Sequence, residues 1–216
     1  MPTWQFIVQN LDDIWFRTLE HIYLVSIALG LAILAGVPIG ISITRSPRIA
    51  NLVMYIGAVI MTIPSIALFG MMIPILSKIG YGIGYVPAVI AVLLYSLLPI
   101  IRNSYTAINN VDPALIEAAR GMGMTTWQRL RQVEIPLAVP IIMSGIRAAV
   151  VLNIGIMAIA AYIGAGGLGT FISRGIAQTD PRQLITGAIA VSLLAIVADY
   201  FLLMIQKKLT PIALRE

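Results

Sequence analysis

Five long stretches of this chain contain almost no charged side chains, and they constrain the fold more than any other feature. Each exceeds the roughly 20 residues that an α-helix needs to cross the hydrocarbon layer of a bilayer. Within that layer every backbone N–H and C=O must be paired inside the protein, so each stretch is predicted to be a spanning helix. The stretches are Tyr23–Thr44, Ile49–Ser77, Ile79–Ile101, Ala148–Ser173 and Gln183–Gln206, the last interrupted only by Asp199.

The amino-acid composition also favours a membrane protein. Only 11% of the residues are charged and 59% are hydrophobic, whereas soluble domains carry about 25% charged residues. We therefore predict an all-α, polytopic membrane helix bundle of about five spanning helices, with residues 21–210 as a single domain.

The absence of cysteine excludes disulfides, thiolate metal sites and cysteine nucleophiles. The single histidine, His21, is expected to anchor the chain at the outer interface, and we predict neither a metal site nor catalysis.

The basic residues divide unequally between the two sides of a five-helix topology, nine against four, with Arg147 set aside. Because cytoplasmic loops carry an excess of Lys and Arg, the richer side is predicted to be cytoplasmic. That side holds the loop 109–136 and the tail 211–216, which leaves the N-terminus outside. The net charge of +5 then reflects topology and does not indicate a nucleic-acid partner. The nine are Arg45, Arg48, Arg102, Arg120, Arg129, Arg131, Lys207, Lys208 and Arg215, and the four are Arg17, Lys78, Arg174 and Arg182.

The first twenty residues contain an apolar stripe at helical spacing, made by Trp4, Val8, Leu11, Trp15 and Leu19. Two tryptophans on such a stripe favour an amphipathic helix in the outer membrane–water interface, and we assign residues 1–20 to it. A plain extension of the first spanning helix fits the same pattern equally well.

The polar segment 109–136 reads as two short helices joined by a turn. Asp112-Pro113 supplies a capping residue and a proline at the first helical position. Gly121 or Gly123 is expected to end this helix with a positive φ. Thr125–Gln128 then has the pattern of a capping box, and the second helix is expected to end before Pro136.

A helix-turn-helix also occurs in DNA readers, which present their recognition helix freely. This segment is tied at both ends to spanning helices, which argues against that use. A stiff connector without a partner would need only polar residues, yet this one carries many apolar side chains, and exposed apolar surface indicates a docking partner. These side chains are Leu115, Ile116, Met122, Met124, Trp127 and Leu130.

The same segment resembles the EAA loop of ABC-importer permeases. Glu117-Ala118-Ala119 is followed after three residues by Gly123, and after nine more by Val133-Glu134-Ile135-Pro136. The departures are Val133 for the usual isoleucine and Ile135 for leucine. The resemblance implies that this coupling loop, residues 109–136, inserts into a groove of an ATP-binding subunit. The implied coupling residues are Glu117, Ala118, Ala119, Gly123, Met124, Trp127, Ile135 and Pro136.

Further stretches resemble the quaternary-amine osmoprotectant branch of these permeases: Thr62–Ser65, Leu98–Asn103, Val111–Met124 and Ile163–Gly169. The resemblance implies a bacterial cytoplasmic-membrane permease, paired with a second copy or a homologous permease, that imports glycine betaine, choline, carnitine or a similar solute by alternating access. It further implies separate ATPase subunits that bind ATP and Mg, and an extracytoplasmic solute-binding protein that supplies most of the specificity. This chain itself is expected to bind no cofactor.

Two alternatives remain for the transported solute and the energy source. One is an ABC permease for another small solute such as an amino acid. The other, a secondary transporter, needs inverted repeats and intramembrane ion-coupling acids, which fit this chain poorly. Whatever the solute and the energy source, Pro64 and Ser65 are the candidate residues of the translocation path. A proline break in a bundle either lines such a path or is a simple kink.

The run Gly164–Gly169 satisfies a dinucleotide-binding pattern, but such a site needs a preceding strand and an acidic residue about twenty positions later. Here Asp180 comes too early and a spanning helix precedes. We interpret the run as a glycine-rich outer turn, and as a candidate docking place for the solute-binding protein.

Arg147 and Asp199 are ionisable residues at similar predicted depths, about 15 Å and 12 Å from the cytoplasmic face. A lone charge at the membrane centre costs about 2.5–3.5 kcal/mol, so an ion pair would relieve both. Separate extension towards the interface, or a direct role towards solute or protons, is the alternative.

Overall fold

The computed structural model describes residues 2–210, which form helices and no strand. The first helix, α1 (Thr3–Gln9), ends at Asn10, whose side-chain amide donates to the Phe6 carbonyl at 2.8 Å. The next helix, α2, runs unbroken through Leu11–Ser42. Residues 3–9 are thus a separate short helix, whereas residues 11–20 extend the first spanning helix. The predicted tail at 211–216 lies outside the described residues.

The second apolar stretch is not one straight helix. It forms α3 (Pro47–Thr62) and α4 (Ser65–Leu76), which meet at an angle of 96°. Pro64 lies at the break, where its missing N–H prevents helix continuation. The Tyr95 hydroxyl of the following helix, α5 (Tyr85–Asn109), donates to the Ile63 carbonyl that the break leaves free.

The coupling loop also differs from prediction at its end. It holds α6 (Pro113–Gly121) and α7 (Thr126–Arg129), but the helical backbone that begins with α7 continues past Pro136. A π-helical segment, Leu130–Glu134, joins it directly to α8 (Ile135–Ile159). The wider i→i+5 spacing of a π-turn accommodates a proline that cannot donate to an α-helical bond.

The fourth apolar stretch divides beyond α8. A 3-10 turn, Ala160–Ile163, leads into the glycine-rich loop, then α9 (Gly169–Ala177) and finally α10 (Pro181–Leu209). Among residues 2–210, four helices are long and apolar enough to span a membrane, or up to five if α3 and α4 count as one broken span. The four are Leu11–Arg45, Tyr85–Asn109, Thr126–Ile163 and Pro181–Leu209.

The core lies where α2, α5 and α8 pack together, and α10 lies at its edge. In the most apolar stretch of α10, 0% of the residues are buried, whereas 50% are buried in the corresponding stretch of α5. Close approach of α2 and α5 requires glycine at Gly40, where a Cβ atom would lie 2.6 Å from the Ile101 carbonyl oxygen and from Ser104 Cβ. The largest fully buried side chains include Leu24, Phe69, Ile100 and Met157.

Substituting Gly40 with alanine is expected to destabilise the bundle by about 1–3 kcal/mol, because the added methyl group overlaps the α5 backbone. Gly30→Ala in the same helix is the matched control, since a Cβ there meets nothing within 4 Å. The midpoint of thermal unfolding is measured for both variants in detergent, with size-exclusion chromatography as the readout. Equal midpoints for the two would contradict the packing described for α2 and α5.

Candidate coupling site

The first helix of the coupling loop begins and ends at the predicted positions. The Asp112 carboxylate accepts a hydrogen bond from the Ala114 N–H at 2.8 Å, and Pro113 occupies the first helical position. Gly123 has a φ of +77° and is the glycine that makes the turn. The Met124 N–H then donates to the Ala119 carbonyl at 3.1 Å, which closes the end of the helix.

The Glu-Ala-Ala triplet divides between the two faces of α6. Ala119 is 1% exposed and packs inward, whereas Glu117 and Ala118 are exposed. A carboxylate that faces solvent at this position is available to a partner's donor groups. The small side chain at Ala119 lets α6 lie close to the rest of the loop.

The second helix, α7, begins with the predicted capping box. The Gln128 N–H donates to Thr125 Oγ1 at 3.3 Å, and the Thr125 N–H donates to Gln128 Oε1 at 2.8 Å. Trp127, Met122 and Leu115 are 65%, 70% and 45% exposed. These three large apolar side chains are exposed on a short loop, and exposed apolar surface is typical of a docking site.

The end of the motif lies where the loop enters the membrane-spanning part. Met124, Ile135 and Pro136 are half-buried, and Pro136 occupies the first turn of α8. They do not belong to the exposed surface. Of the sequence-predicted coupling residues, Glu117, Ala118, Gly123 and Trp127 are exposed, whereas the others support the loop from beneath.

Pro64 and Ser65 lie at the break between α3 and α4. Pro64 is exposed and Ser65 half-buried, and both line an open cavity of about 250 Å³. Tyr95 of α5 and Leu152 of α8 complete its walls. The cavity therefore lies where an irregular backbone meets two core helices, and irregular backbone is tolerated at membrane depth where it lines such a space.

The structure brings Arg147 and Asp199 together. The guanidinium of Arg147 donates two hydrogen bonds of 2.9 Å to the two carboxylate oxygens of Asp199. It also donates to Gln206 Oε1 at 3.0 Å, and the amide of Gln206 donates to the Pro140 carbonyl. Two-point contact of this kind is the strongest geometry for an arginine–carboxylate pair. The two side chains do not extend separately towards the interface.

Sequence reasoning missed a second polar link in the core. Asn153 of α8 donates to Ser96 Oγ of α5 at 2.9 Å, and both residues are fully buried. Neither is charged, and an isolated Asn or Ser in an apolar stretch gives no signal of its partner. A buried amide in hydrocarbon without a partner would be costly, so this contact fixes α5 against α8.

On the predicted outer side, the glycine-rich loop is held by Glu20 of α2, which is itself bonded to Tyr85 of α5. Glu20 of α2 accepts hydrogen bonds from the Gly167 N–H at 2.7 Å and from the Tyr85 hydroxyl at 3.0 Å. Gly164, Gly166 and Gly167 all have positive φ values, a backbone conformation that glycine adopts readily. The backbone conformation therefore accounts for the glycine-rich run, and no nucleotide-binding role is needed to explain it.

The expectation for His21 is wrong. Its side chain is fully buried instead of lying at the interface, and Nε2 lies 3.1 Å from the Ile154 carbonyl oxygen of α8. The packing of the glycine-rich loop over α2 covers it. At the start of α10, which Asp180 caps, the Arg182 guanidinium beside Asp180 lowers the pKa of that carboxyl to about 2.

The Arg147–Asp199 contact predicts strong non-additivity in a double-mutant cycle. Arg147→Ala and Asp199→Ala should each lower the thermal midpoint, and the double variant should be little worse than either single variant. The expected coupling energy is about 1–3 kcal/mol. Lys207→Ala, which removes an exposed charge from the same helix, should have little effect. Additive losses would show that the two side chains act independently.

Residues 28–211 match the family described as the binding-protein-dependent transport system inner membrane component. Over the full length of both chains, the sequence is 54% identical to the osmoprotectant import permease protein OsmW of Salmonella typhimurium. It is also 42% identical to the glycine betaine/carnitine/choline transport system permease protein OpuCB of Bacillus subtilis, over 95% of this chain and 93% of that protein.

The fold is similar to a chain of the MetNI methionine ABC transporter in an inward-facing crystal form, with a TM-score of 0.81 and 24% identity. That match covers 92% of this chain and 97% of the other. A chain of an amino acid ABC transporter gives a TM-score of 0.72 at 21% identity, over 94% of each chain. This chain belongs to the family of inner membrane components of binding-protein-dependent transport systems.

Proposed function

We propose that this chain is the membrane-spanning permease subunit of an ATP-driven importer of osmoprotectants that carry a quaternary ammonium group. The observation that carries the proposal is the 54% identity, over the full length of both chains, to an osmoprotectant import permease. Relatives named for glycine betaine, carnitine and choline support the same solute class. The coupling loop supports the energy source, because it presents a capped, exposed docking surface on the predicted cytoplasmic side.

The chain acts with three partners. ATPase subunits, which bind ATP and Mg, dock on Glu117, Trp127 and their neighbours in the coupling loop. A second permease copy or a homologous permease completes the translocation path, and an extracytoplasmic solute-binding protein delivers the solute. The N-terminus lies outside a bacterial cytoplasmic membrane and the C-terminus inside, as the distribution of Lys and Arg indicates.

The mechanism is alternating access. Closure of the ATPase subunits displaces α6 and α7, and α8 follows because it is continuous with α7. Movement of α8 changes the cavity beside Pro64 and Ser65, since Leu152 of α8 forms one wall of it. Each half-cycle thereby exposes the solute pathway to one side of the membrane at a time.

The functional test is ATP-dependent uptake of radiolabelled glycine betaine, choline or carnitine by proteoliposomes that contain the complete transporter. Wild type should accumulate at least one of them, and Glu117→Lys should abolish both uptake and solute-stimulated ATP hydrolysis while still inserting. Glu117→Gln, which keeps the shape and one acceptor oxygen, should retain part of the activity. Full activity in Glu117→Lys, or uptake by the permease without an ATPase, would overturn the proposal.

The turn at Gly123 gives a second prediction. A non-glycine residue in the left-handed region costs about 1–2 kcal/mol, so Gly123→Ala should distort the loop and reduce solute-stimulated ATP hydrolysis several-fold. The cause is backbone strain alone, because a Cβ at Gly123 meets nothing within 4 Å. Gly121→Ala is the matched control, as Gly121 also has open space but no positive φ. Equal hydrolysis rates for the two variants would contradict the role of this turn.

A further inference from the structure

The path from the coupling loop into the membrane is a single helix. Residues Thr126–Ile163 form one run of 38 residues, here called the coupling rod. At 1.5 Å per residue it is about 57 Å long. Any displacement of α7 reaches the membrane core through this rod, so its stiffness decides how much of the movement arrives.

The rod has one irregular segment near its cytoplasmic end, the π-helical Leu130–Glu134. Pro136 explains its position, because proline has no N–H to donate and its ring would collide with the carbonyl four residues earlier. Sharp bends in long helices occur at prolines and π-bulges. A docking force can therefore bend the rod between α7 and α8, where the π-segment and Pro136 occur together.

An ion pair spans this weak segment. Arg129 Nε donates to Glu134 Oε1, and the two residues are five positions apart, which is the spacing of a π-helical hydrogen bond. Their side chains are only 16% and 8% exposed. Because breaking a buried pair leaves an uncompensated charge, the contact resists any bend that would separate its ends.

The pair also lies against a second helix. Arg129 and Glu134 line a cleft of about 460 Å³ between the π-segment and the cytoplasmic end of α2, where Arg45 is another wall residue. The residue that pairs with Glu134 is Arg129, which belongs to the rod itself. By contrast, Arg131 in the same π-segment is exposed.

We propose that Arg129 and Glu134 are positioning residues that brace the coupling rod across its π-segment, so that α7 and α8 move as one body. The proposal deepens the proposed function and rests on it. The outer end of the rod shows why rigidity matters: the Ile163 carbonyl accepts a hydrogen bond from the Gly84 N–H at 2.8 Å. A braced rod carries a cytoplasmic displacement to this outer contact, whereas a bent rod absorbs it at the π-segment.

The first test is the ratio of solute transported to ATP hydrolysed, measured in proteoliposomes with the complete transporter. Arg129→Gln and Glu134→Gln should each lower that ratio about tenfold while ATP hydrolysis continues, and the double variant should be no worse. Arg131→Gln, the matched control, should behave as wild type. A ratio that stays at the wild-type value, or losses that add in the double variant, would overturn the brace.

A second measurement does not depend on transport. The chain contains no cysteine, so Thr126→Cys and Ser144→Cys, both at exposed positions of the rod, accept spin labels specifically. The distance distribution between the labels should be narrow in the assembled wild-type and Arg131→Gln complexes and broad in Glu134→Gln. An unchanged distribution in Glu134→Gln overturns the brace even if uptake falls. If the wild type transports none of the three osmolytes, the proposed function fails, and the label distances still decide whether the rod is braced.

Discussion

The structure depends on one constraint, the pairing of backbone polar groups in a medium without water. Long uninterrupted helices satisfy it for most of the chain, and each departure needs a specific replacement. At the α3–α4 break the replacement is the Tyr95 hydroxyl, which occupies the Ile63 carbonyl. Another irregular segment, the π-helical turn ahead of Pro136, lies in the coupling loop, and both irregular segments occur where the proposed mechanism needs movement or transmission.

The coupling rod is joined to its neighbours at several depths by polar contacts rather than by apolar packing alone. Arg147 holds it to Asp199 of α10, and Asn153 holds it to Ser96 of α5. Such contacts are directional, so they define a register between helices that apolar side chains would leave free to slide. In the proposed mechanism a displacement of the rod is therefore passed to α5 and α10 through these two contacts.

The parts that sequence predicts well are those decided by local chemistry. Capping at Asp112 and Thr125 and the positive φ at Gly123 follow from the residues themselves, and all three are present. The effect of proline is not local in this sense. Pro64 breaks its helix, whereas other prolines are accommodated inside helices, so the residue type alone does not decide the outcome. The burial of His21 is likewise set by a loop far along the chain. The accommodated prolines are Pro38, Pro74, Pro99 and Pro140.

The proposed docking surface consists of a few side chains on a short loop, so it depends on the helix behind it. The large apolar side chains that this loop exposes are chiefly Trp127, Met122 and Leu115. A small contact can follow a moving partner only if the element behind it does not yield. The buried Arg129–Glu134 pair lines the same cleft as Trp127, at the only π-helical segment among the described residues 2–210. Lost rigidity there would leave docking and ATP hydrolysis intact, so hydrolysis would continue without transport. Loss of the docking surface itself would not separate the two activities in this way.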